Sequence, residues 1–220
     1  MCKYKGVLFD LDGTLADTFG DIFHAANTLL QTKGYPLRSK DEILAAISFG
    51  RREFIKKIMP ESASEQEVDN AVADYTAYYA IHFMDRTLPY PGMIELIHSL
   101  HTAGFRTAVV TNKAHVNAVQ MVEQICPQGL VDGIWGLSTF PPKPDPSIAL
   151  FAASTLGLEP SECVFVGDSE LDMLTAKNAG MTPIGVSWGY RPTAILAEEG
   201  AHLIVNSSDE LKAFLFEHLA

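Results

Sequence analysis

Several short apolar runs in this chain stop at a polar turn. Val7, Leu8 and Phe9 lead into Asp10-Leu11-Asp12-Gly13-Thr14, Thr107 to Val110 into Thr111-Asn112, and Cys163 to Val166 into Gly167-Asp168. Short apolar runs bounded by such turns read as buried strands. Residues 183–186 and 202–205 add two candidate strands. Between the strands the period changes. Met93, Leu96, Ile97 and Leu100 follow helical spacing, and Gly104 is suited to end that helix. Residues 146–156 and 170–179 read as helices too, each followed by a glycine, Gly157 and Gly180. From about residue 92 onward, strands alternate with helices. This predicts an α/β fold, a doubly wound, Rossmann-like parallel sheet with helices on both faces. Polar groups at several strand ends then meet along one edge.

The stretch 16–88 breaks this rhythm. Ile22, Ala25, Ala26, Leu29 and Leu30 keep helical periodicity, and no convincing strand follows before residue 88. An all-helical domain inserted after the first strand is expected at 16–88, with the α/β domain formed by 1–15 and 89–220. Arg51, Arg52, Lys56 and Lys57 concentrate positive charge in the insertion. On an amphipathic helix such a run is usually the solvated face. Contact with an anionic substrate is the functional alternative.

Composition narrows the partners. Of 220 residues, 47% are hydrophobic and 20% charged, and the net charge is −11. That field repels nucleic acid and anionic membranes, so neither is an expected partner, and an anionic substrate must be held by local groups. The odd, widely spaced Cys2, Cys126 and Cys163 fit neither a disulfide framework nor a zinc pair, which suggests a reducing, cytoplasmic setting. No signal-peptide pattern precedes the first strand. Oligomeric state is not legible.

Asp10 and Asp12, two apart at the end of an extended segment, project toward the same side. Two close carboxylates suit a metal site, or a nucleophile beside a proton carrier. Phosphoryl transfer uses both, because one carboxylate attacks phosphorus while a second carboxyl serves the leaving oxygen and water. Asp168 ends another strand and is a suitable third oxygen ligand for Mg²⁺, and Asp172 is poised to orient the water shell. Thr111, the Asn112 backbone N–H and Lys143 are candidate donors to the phosphoryl oxygens. Lys143 lies among Pro141, Pro142, Pro144 and Pro146, which stiffen its backbone.

These residues resemble the haloacid dehalogenase superfamily of phosphatases, and within it phosphoglycolate phosphatases. Asp10-Leu11-Asp12-Gly13-Thr14-Leu15 matches the first motif and Thr111-Asn112-Lys113 the second. Lys143-Pro144-Asp145-Pro146 matches the third and Gly167-Asp168-Ser169-Glu170-Leu171-Asp172 the fourth. All four occur in family order, and the likeness extends over essentially the whole chain. It implies a small helical cap domain, Asp10 as nucleophile and Asp12 as acid/base. It also implies Mg²⁺ held by Asp10, the Asp12 backbone carbonyl and Asp168, with Thr111 and Lys143 gripping phosphate. The segment 187–191 also resembles the phosphoglycolate phosphatase branch. The cap departs from the family's glycine-x-proline stretch, reading Ile47-Ser48-Phe49-Gly50-Arg51-Arg52. Arg51 and Arg52 are therefore candidate specificity residues.

Hydrolysis of a small phosphate monoester through an aspartyl-phosphate is the leading reading. Phosphoglycolate is the first candidate, with a nucleoside monophosphate or pyrophosphate as other substrates. A phosphosugar mutase of the β-phosphoglucomutase kind would carry a histidine about twelve residues after the nucleophile. Ile22 stands there, with His24 two residues on. A receiver-like phospho-aspartate binding module would place its aspartate on a middle strand and lack the insertion.

Overall fold

The computed structural model describes residues 4–47 and 50–217. In chain order its elements are β1 (Gly6–Phe9), β2 (Ala16–Asp17), α1 (Phe19–Thr32), α2 (Lys40–Ala46), α3 (Arg51–Ile58), α4 (Glu65–His82), β3 (Leu88–Pro89), α5 (Met93–Thr102) and β4 (Arg106–Ala114). They continue with α6 (His115–Ile125), β5 (Gly133–Leu137), α7 (Ser147–Thr155), β6 (Cys163–Gly167), α8 (Glu170–Ala179), β7 (Thr182–Val186), α9 (Thr193–Glu198), β8 (Leu203–Val205) and α10 (Ser208–Glu217). The chain divides into two compact units, Met1–Asp17 with Pro89–Ala220, and Thr18–Leu88.

The first unit holds a six-stranded sheet in the order β5-β4-β1-β6-β7-β8. Every pairing in it is parallel. The fold is α/β as the alternating pattern predicts, with the helices α1–α4 inserted after β1 and β2. β1 is central because all four of its residues are apolar or glycine and buried. Phe9 lies beside Val109 of β4 on one side and Val166 of β6 on the other. Residues just beyond these three strands therefore converge where the connections diverge to opposite sides of β1, the usual ligand position in open parallel sheets.

Alternation divides the strand side chains between the two sheet faces. Leu8, Ala108, Val110 and Phe165 share one core cluster with Ile148, Ala149 and Ala152 of α7 and Ala176 and Ala179 of α8. Trp135 packs against this cluster and meets the Phe151 ring edge-on. Helix α5 buries Met93, Leu96, Ile97 and Leu100, the residues its spacing singles out.

Four strands differ from the sequence expectation. β4 continues through Ala114, past the turn anticipated at Thr111-Asn112. β5 has no counterpart in the apolar pattern, since four of its five residues are only half-buried and two are glycines. β2 and β3 pair in a two-stranded sheet at the ends of the helical insertion, each too short to show a period.

In the second unit, α1 buries Ile22, Ala25, Ala26, Leu29 and Leu30 and packs on α4. Ser39 and Ser64 each accept a backbone N–H and open α2 and α4 with capping boxes completed by Glu42 and Glu67. His24, on α1, is exposed. Among the described residues, no helix is long and apolar enough to cross a membrane. Cys126 and Cys163 are free and buried; Cys2 lies outside the described residues.

Candidate active site

Asp10 leaves β1 with its N–H donating to the Val166 carbonyl at 2.9 Å, so its backbone still follows β6. The next residues form a tight loop in which the Leu15 and Ala16 N–H groups both donate to Leu11 O. Gly13 adopts φ +87° there, and a Cβ on it would fall 2.4 Å from Asp168 Oδ2. No other residue type fits both the left-handed backbone and that approach.

Asp168 follows β6, and α8 begins directly after it. Ser169 and Asp172 cap that helix reciprocally: Ser169 Oγ accepts from the Asp172 N–H, and Asp172 Oδ2 accepts from the Ser169 N–H at 3.0 Å. Asp172 is thereby held fully buried with its other oxygen turned to Lys143. One carboxylate oxygen from each of Asp10, Asp168 and Asp172 lies within 4.8 Å of the others.

Lys143 is 3% exposed and stands between two of these carboxylates. Its Nζ lies 2.8 Å from Asp10 Oδ1 and 2.5 Å from Asp172 Oδ1. Burial alone would push the ammonium down, but the two carboxylates outweigh it and hold it above its ordinary value. Its backbone is fixed by Asn112, whose side-chain Oδ1 accepts the Lys143 N–H at 2.8 Å and whose Nδ2 donates to Lys143 O at 3.2 Å. Asn112 thus orients the lysine through its amide.

Burial pushes the Asp10 carboxyl up to about 7; Lys143 opposes this, and Asp172 and Asp12 reinforce it. Burial, then the charges of Asp172 and Asp10, raise Asp168 well above the carboxylate range. Asp10 Oδ1 is buried and, although Lys143 is its ion-pair neighbour, receives no well-angled hydrogen bond. Crowded, desolvated carboxylates with an oxygen lacking a directed donor form a ligand set suited to a hard divalent cation.

Asp12 lies outside the three-carboxylate cluster. Its Oδ1 accepts from Lys113 Nζ at 2.8 Å, and the lysine is 8% exposed. Thr111 is buried, and its Oγ1 accepts the Lys113 N–H at 3.2 Å. Lys113 joins Asp12 here although the sequence pattern names only Thr111, Asn112 and Lys143 as donors. With the strand continued through Ala114, period-two alternation puts Thr111 and Lys113 on one face, a signal already present in the sequence. Thr14, a donor the motif spacing does not single out, donates from Oγ1 to Asp168 Oδ1 at 3.2 Å.

The basic run of the helical unit has its own partners. Arg51 Nη1 donates to Thr76 Oγ1 at 3.0 Å. Arg52 pairs with Glu65 and Asp69, and Lys56 with Glu65. Ser48 and Phe49, inside the departure from the glycine-x-proline pattern, lie outside the described residues.

Residues 7–186 match the family model described as haloacid dehalogenase-like hydrolase. The chain is 31% identical over 212 residues to phosphoglycolate phosphatase 1 of Pseudomonas aeruginosa, covering 93% of this chain and 77% of that protein. It is 32% identical over 216 residues to the phosphoglycolate phosphatase of Pseudomonas fluorescens, covering 95% and 78%. Among solved structures, one from Lactobacillus delbrueckii subsp. bulgaricus superposes with a TM-score of 0.89 at 30% identity, covering 97% of this chain and 98% of that one. A haloacid dehalogenase-like family hydrolase from Streptococcus pneumoniae shares the fold, with a TM-score of 0.88 at 24% identity and coverage of 97% and 99%. The chain therefore belongs to the haloacid dehalogenase-like hydrolases.

Proposed function

We propose that the protein is a Mg²⁺-dependent phosphatase that hydrolyses a small organic phosphate monoester through an aspartyl-phosphate on Asp10. The reading rests above all on the ion pair of Lys143 with Asp10, at the end of the central strand and beside Asp168. Asp10, Asp168 and the Asp12 backbone carbonyl would hold Mg²⁺, with Asp172 completing the acidic cluster. The bound ion supplies neutralisation of the crowded carboxylates and of the phosphoryl oxygens.

In the first step an Asp10 carboxylate oxygen attacks phosphorus, the P–O bond to the leaving group breaks, and Asp12 gives that oxygen its proton. In the second step Asp12 takes a proton from water, whose oxygen attacks phosphorus and breaks the P–O bond to Asp10. The products are the alcohol and inorganic phosphate; Asp10 returns as the carboxylate and Asp12 as the protonated acid, so the cycle closes. Lys143 and Thr111, with the Asn112 backbone N–H, stabilise charge on the transferred group. Lys113 holds Asp12 through its Oδ1. We assign the role of cap to the helical unit, where the pairing of Arg52 with Glu65 and Asp69 favours the solvated-face reading of the basic run over substrate contact.

Phosphoglycolate leads the candidate substrates because relatives at 31% and 32% identity carry that name. A phosphate-release screen over small phosphate esters with Mg²⁺, run beside Asp10→Asn, tests the reading. Turnover is expected to fall at least ~10³-fold in the variant, since the nucleophile is removed with its shape kept. Retained Mg²⁺-dependent turnover by Asp10→Asn would sink it.

A further inference from the structure

Asp168 is held from a direction the four motifs do not include. The turn between β7 and α9, residues 187–191, meets Asp168 in two ways and the nearby Glu170 in a third. The Tyr190 N–H donates to Asp168 Oδ2 at 2.7 Å. Gly189 lies so close that a Cβ on it would fall 2.1 Å from Asp168 Cβ and 2.5 Å from Oδ2. Arg191 Nε pairs at 3.0 Å with Glu170 Oε2, two residues beyond Asp168. The same turn reaches the first loop, because Trp188 Nε1 donates to Thr14 O at 3.1 Å.

These contacts close a ring. Trp188 holds the Thr14 backbone, Thr14 Oγ1 donates to Asp168 Oδ1, and Asp168 Oδ2 accepts from Tyr190, two residues after Trp188. With a donor on each oxygen, the carboxylate plane cannot turn freely. Partners of this kind fix the direction of a ligand's lone pairs, and their loss typically weakens metal binding about 10–100-fold.

We infer that the 187–191 turn is a clamp that aims the Asp168 carboxylate at a divalent cation, with Trp188 and Gly189 as positioning residues. The inference rests on the Mg²⁺ reading of the site. Trp188→Phe keeps an aromatic ring on the Tyr90 side while removing the donor to Thr14. Gly189→Ala places a methyl against Asp168. Arg191→Gln removes the charge facing Glu170.

The test is Mg²⁺ titration of the full chain, read by the thermal unfolding midpoint and by calorimetry, together with the Mg²⁺ dependence of phosphate release. The Mg²⁺ concentration for half-maximal stabilisation is expected to rise about 10–100-fold in Gly189→Ala and about 3–10-fold in Trp188→Phe. Excess Mg²⁺ should restore kcat, with KM for the ester unchanged at saturating Mg²⁺. A lower midpoint in EDTA with unaltered Mg²⁺ dependence in the folded variants would overturn the clamp. If Gly189→Ala does not fold, Trp188→Phe and Arg191→Gln decide by the same readout. A wild-type chain with no Mg²⁺ response would instead overturn the metal reading itself, and the clamp with it.

Discussion

In the α/β unit, Lys113, Lys143, Asp10, Asp168 and Asp172 are all buried and packed around the ends of β1, β4 and β6. In the helical unit, Arg52, Lys56, Glu65 and Asp69 pair at side-chain exposures of 43% to 63%. Both sets satisfy opposite charges, yet their physics differs. Exposed pairs are screened by water and salt and add little to stability. Buried charges lose hydration worth several kcal/mol per ion, and their mutual attraction repays it only with good geometry. A cluster of three carboxylates against one lysine is a poor way to stabilise a fold. Its retention in the core makes sense as preorganisation for a reaction.

Asp21, the buried carboxylate at the start of α1, separates burial from function. Its Oδ2 accepts from the Arg86 N–H, the Thr87 N–H and Thr87 Oγ1, at 3.1, 3.0 and 2.7 Å. Among the described residues it belongs to no group of three or more carboxylates, so it reads as a structural clasp between α1 and the end of the helical unit. What distinguishes the site is therefore like charge brought together, and burial alone does not.

The sharpest way to break the contrast is Lys143→Met. Removing one partner from a buried charge cluster costs about 3–5 kcal/mol. The loss has a definite pH dependence. Without the ammonium, Asp10 and Asp168, whose carboxyls burial already raises, bind protons more tightly in the folded chain than in the unfolded one, so stability falls as pH rises above the unfolded carboxylate range. Urea unfolding in EDTA should show a deficit that is largest near pH 8 and shrinks toward pH 5. An equal deficit at both values would mean that packing, not charge, is what Lys143 supplies.

Asp10→Asn tests the same cluster with the opposite sign. The Asp10 carboxyl is raised from 3.8 to about 7 in the folded chain, so without metal its ionisation destabilises the fold. The folded state then binds more protons than the unfolded state between those values, and stability declines across that window. In EDTA at pH 8 the variant should melt a few degrees above wild type, on the order of 2–4 °C per kcal/mol for a chain of this size. The gap should close toward pH 4. Thermal scans check it, and a variant less stable than wild type at pH 8 would show that Lys143 outweighs burial.

Legibility in the sequence follows the same division. β1 and β6 are buried along their whole length, so their apolar runs announce them. β5 sits at the sheet edge with Gly133 and Gly136, where neither alternation nor a continuous run develops. The starts of α2 and α4 were written in Ser39-x-x-Glu42 and Ser64-x-x-Glu67, a capping signal that apolar periodicity does not use. At the site, Asp10, Asp168 and Lys143 were legible because each stands at a break in a pattern. The contact of Trp188 with Thr14 was not, since it joins residues 174 positions apart and only the folded sheet brings them together.

The smallest effect belongs to Arg52→Ala. Arg52 Nε lies 3.0 Å from Asp69 Oδ1 and its Nη2 lies 2.5 Å from Glu65 Oε2, while Lys56 remains on Glu65 after the arginine is removed. An exposed pair with a surviving alternative partner should move the thermal midpoint by no more than about 2 °C. At roughly 1 M salt the Debye length falls to about 3 Å, so even that shift should shrink. Because both ends of the guanidinium are engaged by carboxylates of α4, KM for the hydrolysed ester is expected to stay within about two-fold of wild type. Thermal scans at two salt concentrations and steady-state kinetics read both outcomes. A ten-fold rise in KM with an unmoved midpoint would separate the roles the other way: Arg52 would exchange its partners on α4 for substrate, and surface charge in the helical unit would become part of the chemistry.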